Sequence, residues 1–94
     1  MSWQAVSYAV DLLDRADDLT VADRLVLVIL AEHANRSGHA WPSATSVARR
    51  AGLHPSSVRR CVDRLEAAGA IAVDPRPGTS NRYRFPLTAP DELS

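Results

Sequence analysis

The chain has 94 residues, 46% of them hydrophobic, and a formal net charge of zero, the profile of one small globular domain rather than of a disordered segment. Its longest strongly apolar run, Leu25–Ala31, falls far short of the roughly 20 residues a bilayer span needs, and no basic stretch leads into an apolar one at the N-terminus, so neither a membrane segment nor a signal peptide is expected. Cys61 is the single cysteine, which excludes an intrachain disulfide and fits a reducing compartment, the cytoplasm.

The first expected element is an amphipathic helix over Trp3–Leu13, with Trp3, Val6, Val10 and Leu13 spaced three and four apart as its inner stripe. Residues 15–19 are acidic and read as a loop. Thr20 precedes Asp23 by three positions, an N-cap with an acid in the first turn, and the helix it opens is expected to run to Asn35. That helix is apolar on most faces, so it is expected at the centre of the domain. Ala40-Trp41-Pro42 reads as extended, because Pro42 restricts Trp41 to β or polyproline geometry. Ser43 then caps a helix through Ala51, with Val47 and Ala48 inward and Gly52 just past its end.

After the short connection Leu53-His54, Pro55 fits the first position of another helix, and His54 falls at its N-cap. Val58, Cys61, Val62, Leu65 and Ala68 form one stripe along it, and Gly69 ends it. A strand at 70–73, a loop at 74–80 and a returning strand at 81–85 complete a hairpin. The domain is expected to occupy residues 1–86, with 87–94 as a flexible tail or linker.

The zero net charge hides a segregation. Residues 1–35 carry two arginines against six acids, a net of −4, whereas residues 36–84 carry nine arginines against three acids, a net of +6. Charges beyond about 8–10 Å are screened at physiological salt, so a polyanion feels the local patch. No lysine is present. Codon bias toward G+C accounts for most of that, although guanidinium forks do suit phosphates and guanine edges.

Two short helices joined by a turn of three or four residues make a helix-turn-helix, whose second helix enters the DNA major groove. Ser56 and Ser57 are small and polar at the leading end of the second helix, as a close approach requires. Arg59, Arg60 and Arg64 lie off its apolar stripe and face outward. Arg76 stands at the tip of the hairpin. Arg82 and Arg84, two apart, share one face of the return strand, leaving Tyr83 and Phe85 for the core. Arg49 and Arg50 end the preceding helix, and Ser43, Thr45, Ser46, Thr79 and Ser80 are placed for phosphate contacts.

Trp41-Pro42-Ser43, Val47-Ala48, Gly52-Leu53, Ser57-Val58-Arg59-Arg60, Leu65-Glu66, Gly69-Ala70-Ile71 and Tyr83 together resemble the winged helix-turn-helix domains of phage- and plasmid-type regulators and replication proteins. Trp3 and the helix from Asp23 to Asn35 resemble the leading part of that group, so the likeness covers nearly all of the chain but the tail. It implies a mainly α fold with a small β-hairpin, about four helices plus a two- or three-stranded wing. It implies a recognition helix over 55–68, lined by Ser56, Ser57, Arg59, Arg60 and Arg64, and a wing over 74–81. His54-Pro55 departs from the pattern, which often has a Ser or Thr cap followed by a polar residue. The expected DNA-contacting set is Ser43, Thr45, Arg49, Pro55, Ser56, Ser57, Arg59, Arg60, Arg64, Arg76, Thr79, Ser80 and Arg82.

The partner expected is double-stranded DNA, with a homodimer possible through the N-terminal helix, and with no cofactor and no small-molecule substrate. Winged helices also serve as protein-docking adaptors, and the acidic first third favours that rival. An exposed apolar patch on helix 55–68 or the wing is its signature. His33, His39, His54 and Cys61 lack the paired spacing of zinc sites. No phosphate-binding loop, paired carboxylates or oriented Cys–His pair points to catalysis. The acids from Asp11 to Asp23 read as a solvated face, and Trp3 and Trp41 as core anchors. Arg64 has a second reading, an ion pair with Asp63, Glu66 or a distant acid.

Overall fold

The computed structural model describes residues 2–87. Almost all of the expected tail, 88–94, lies outside the described residues. Four helices and three short strands follow in the order α1 (Trp3–Leu13), α2 (Val21–His33), β1 (His39–Ala40), α3 (Ala44–Ala51), α4 (Pro55–Ala67), β2 (Ala72–Asp74) and β3 (Arg82–Arg84). The strands form one antiparallel sheet in the order β1-β3-β2, with Ala40 opposite Tyr83 and Asp74 opposite Arg82. The architecture is a winged helix-turn-helix, as the sequence led one to expect.

The apolar helix α2 is the central post, in contact with α1, α3, α4 and β1. Its Val26, Leu27 and Leu30 are fully buried, as are Val47, Val58, Cys61 and Leu65 of α3 and α4. Full burial of a Leu or Val side chain contributes roughly 1.5–3 kcal/mol each, so this junction carries much of the stability. The start of α2 is fixed by a reciprocal cap. The Asp23 amide donates to the Thr20 hydroxyl, and the Thr20 amide to the Asp23 carboxylate, each at 3.0 Å. Arg24 closes the preceding loop by donating to the carbonyls of Leu13, Ala16 and Leu19. The helix stops at His33, two residues short of the expected Asn35, because the Asn35 side chain accepts from the amides of Ser37 and His39 and turns the chain into β1.

The inner face of α1 differs from its expected stripe. Ala5 and Ala9 are fully buried, whereas Trp3 is 73% and Val10 49% exposed. Small residues at i and i+4 let α1 approach α2 closely, and that close approach decides the face over the larger side chains. Val6, Tyr8, Leu12 and Leu13 pack at its edges. Tyr8 crosses to the wing, donating from its hydroxyl to the Ala70 carbonyl at 2.7 Å and meeting Phe85 edge-on. Trp41 is likewise no core anchor: it is 41% exposed and stands edge-to-face with His39. The first expected strand, 70–73, starts two residues later and ends one later, the second, 81–85, is shortened by one residue at each end, and the extended stretch before Pro42 supplies β1 as a third strand beside β3.

Candidate nucleic-acid interface

The turn between α3 and α4 is built by local chemistry. Gly52 takes the left-handed conformation, φ 72°, with its amide donating to the Ala48 carbonyl, which ends α3 and reverses the chain. Three residues later Pro55 occupies the first turn of α4, where its missing N–H leaves no bond unmade. His54 does cap the helix. Its ring Nδ1 accepts from the Ser56 amide at 3.1 Å, doing what a Ser or Thr oxygen does in related patterns.

Val58, Cys61, Val62 and Leu65 of α4 face the core, so the opposite ridge is set by the 3.6-residue period. Ser56, Arg60 and Asp63 are exposed on that ridge and Arg59 is exposed on the flank toward the wing. Ser57 and Pro55 are half-buried beside the leading edge. The Ser57 hydroxyl lies 3.4 Å from an Arg60 Nη atom. Asp63 was not among the expected site residues. Its i+4 spacing from Arg59 places the two side chains as neighbours on the helix surface, and a carboxylate there is an acceptor among donors.

Between α4, the start of α3 and the wing lies a cleft of about 320 Å³, lined by Pro42, Ser43, Ala44, Thr45, Arg59, Thr79, Ser80, Asn81 and Tyr83. It joins five of the expected residues, Ser43, Thr45, Arg59, Thr79 and Ser80, from three separate parts of the chain. Their hydroxyls, one guanidinium and the first-turn amides of α3 are donors suited to an anionic oxygen. Asn81 is a further wall residue that sequence reasoning missed. The wing turns at Arg76-Pro77-Gly78-Thr79, with Gly78 at φ 75° and the Thr79 amide donating to the Arg76 carbonyl. Proline followed by a glycine of positive φ is the sequence of a type II turn. Arg76 Nε donates back to the Ser80 carbonyl at 3.1 Å, bracing the loop.

The nine arginines of residues 36–84 divide into two groups. Arg36, Arg49, Arg59, Arg60 and Arg76 have no acidic partner among the described residues, whereas Arg50 pairs with Glu32, Arg64 with Asp23, and Arg82 and Arg84 with Asp74. Arg64 thus follows its alternative reading, pairing with a distant acid rather than standing free on the ridge. Asp23 is fully buried. Burial alone pushes its carboxyl up, but the Arg64 guanidinium, the Thr20 cap and the Cys61 thiol outweigh it and hold it below the usual carboxylate range. Burial and the neighbouring Asp23 raise the Cys61 thiol. Two guanidinia press on Asp74, Arg84 foremost, and lower its carboxyl. Arg82 and Arg84 do share one face, with Tyr83 and Phe85 buried on the other.

A family described as a helix-turn-helix domain matches residues 17–71, more than half of the chain, spanning α2 through α4 and ending before β2. Protein YmfN of Escherichia coli (strain K12) is 35% identical over 54 residues, which is 57% of this chain and 12% of that protein. The chain therefore spans about an eighth of the length of this relative. No solved structure matches the chain significantly.

Proposed function

This chain belongs to the helix-turn-helix domain family, and from that premise we propose that it binds double-stranded DNA sequence-specifically, without catalysis, by inserting the leading end of α4 into the major groove. One observation supports this reading above the others. The ridge of α4 and the cleft beside it present Ser56, Arg59, Arg60, Thr45 and Thr79 as exposed donors, and among the described residues no large apolar side chain is exposed on α4 or the wing. An apolar patch exposed there is what would favour the adaptor reading instead.

In this reading Arg59 and Arg60 contact guanine edges, and Ser43, Thr45, Arg49, Thr79, Ser80 and Arg76 contact phosphates, with Ser56, Ser57 and Pro55 forming the close-approach surface. Arg64 serves by fixing α4 to α2, and Arg82 stands at the flank of the wing. The role is that of a transcriptional regulator, or of the DNA-binding part of a phage or plasmid replication, partition or transfer protein, acting in the cytoplasm at the nucleoid. Exposed Trp3 and Val10, two turns apart on α1, support a homodimer through that helix. A dimer reads two half-sites one helical turn, roughly 34–36 Å, apart.

Selection of bound duplexes from a random pool tests the proposal. Enrichment of one motif, weakened by Arg60→Ala in a folded protein, is the expected result. A pool that stays random, with no salt-dependent binding to any duplex, defeats it.

A further inference from the structure

Asp74 ends β2 opposite Arg82, and its carboxylate serves two guanidinia at once. Its Oδ2 accepts from Arg82 Nε at 3.0 Å, Arg82 Nη2 at 2.9 Å and Arg84 Nε at 2.6 Å, while Oδ1 accepts from Arg84 Nη2 at 3.2 Å. Every one of these groups lies on the outer face of the sheet, because Tyr83, between the two arginines, is buried on the inner one. Arg82 directly follows Asn81, a wall of the cleft between wing and α4. Strand alternation turns Arg82 and Arg84 to the face opposite Tyr83, where Asp74 holds them at the flank of the wing, so the wing side of the cleft offers only the neutral groups of Thr79, Ser80, Asn81 and Tyr83, and the cleft's one cationic wall is Arg59 on α4.

We infer that Asp74 is a specificity-determining residue: it withholds Arg82 and Arg84 from the phosphate backbone, so that the wing adds hydrogen-bond geometry rather than indiscriminate charge. The inference rests on the DNA-binding reading of the same surface. Phosphate contacts by arginine strengthen binding to every sequence equally, and each adds about 0.9 to the slope of log affinity against log salt. A wing with both arginines free binds more tightly but discriminates less. The carboxylate and the two guanidinia are all partly exposed, and such pairs are weak enough for one changed charge to release them.

The test compares the full chain with its Asp74→Asn variant on a selected duplex and on an unrelated duplex of equal length, across a salt series. Asp74→Asn is expected to steepen the salt slope by about 1–2 and to bind the unrelated duplex about three- to tenfold more tightly at moderate salt, so that discrimination falls. Adding Arg82→Ala and Arg84→Ala is expected to remove the extra slope, and Asp74→Glu to keep the parent slope. A merely structural role for Asp74 moves the melting temperature but not the slope. An Asp74→Asn protein with parent-like circular dichroism and an unchanged slope, or with weaker binding to both duplexes, overturns the inference; Asp74→Ser replaces it if the asparagine variant does not fold. Failure of the parent chain to bind any duplex at low salt counts against the DNA-binding reading itself, whereas a binding parent with an indifferent Asp74 counts only against this role.

Discussion

Arg64 Nε on α4 donates to both carboxylate oxygens of Asp23 on α2, each at 3.0 Å, across 41 positions of sequence. The same carboxylate completes the cap that starts α2. One buried group thus fixes where the central helix begins and how the outward-facing helix lies against it. A carboxylate with no exposed surface depends on these donors, because an unpaired buried charge is costly.

The lowered Asp23 carboxyl makes stability pH-dependent with a definite sign. A carboxylate whose folded pKa lies below its unfolded value, about 3.9, contributes stability that is fully present above that value and is lost as pH falls through the folded pKa. Melting temperature is therefore expected to drop below about pH 4, with the lowered Asp74 adding to the effect. Asp23→Ala should cost about 2 kcal/mol at neutral pH through the lost cap and hydrogen bonds, and should flatten the acid limb. A variant whose melting curve keeps the parent's pH profile rules out this assignment.

Cys61 provides an independent check on the same junction. It is 1% exposed, beside Asp23 and with Arg64 Nη2 3.6 Å from its sulfur. Because burial and Asp23 raise its pKa, the thiol stays protonated at neutral pH, and thiolate is the reactive form. Alkylation of the native protein by iodoacetamide should be slow and should accelerate sharply in denaturant. Rapid native-state labelling contradicts the packing of α4 on α2.

Much of this arrangement was legible in the sequence, for specific reasons. Ser43, Gly52 and Pro55 have strong local preferences, so the helix-turn-helix boundaries could be read directly. The alternation of Arg82, Tyr83, Arg84 and Phe85 likewise assigned the faces of β3 correctly. The face of α1 was not legible, because a stripe of Ala5 and Ala9 is nearly invisible beside Trp3 and Val10. Nor was the pairing of charges. Glu32 with Arg50, Asp23 with Arg64 and Asp74 with two arginines depend on tertiary contacts that local spacing does not encode, and they engage four of the nine arginines counted in residues 36–84.

The guanidinia of Arg59 and Arg60 on α4, without an acidic partner among the described residues, should carry base readout. Arg59→Ala and Arg60→Ala are each expected to lose about 1–3 kcal/mol of binding to a selected site if the contact is bidentate to guanine, and to lose less on unrelated duplex. Competition binding at fixed salt measures both quantities. Folded variants that bind the selected site like the parent show that α4 does not sit in the groove.

The exposed side chains of α1 predict self-association. A two-fold contact brings Trp3 and Val10 of one chain against the same patch of another. Trp3→Ser should shift the sedimenting mass toward the monomer without changing the melting of the isolated fold. Asp11 and Asp14 are exposed on the same helix flank and at its end, so added salt should favour the dimer by screening their repulsion. A parent chain that stays monomeric at every concentration excludes this contact.

Arg76 completes the set as the wing cation without an acidic partner among the described residues. Only its Nε is engaged, by the Ser80 carbonyl, so the two Nη groups remain available beyond the Gly78 turn. A guanidinium at a loop tip makes phosphate contacts that carry no sequence information. Arg76→Ala should therefore weaken binding to selected and unrelated duplexes by the same factor and reduce the salt slope by about one. Arg60→Ala should instead lower affinity mainly for the selected duplex, so the two variants separate backbone contact from base reading in one salt series. If Arg76→Ala leaves the slope at the parent value, the tip of the wing does not touch the backbone, and the charge that positions the domain on DNA comes from Arg49 on α3.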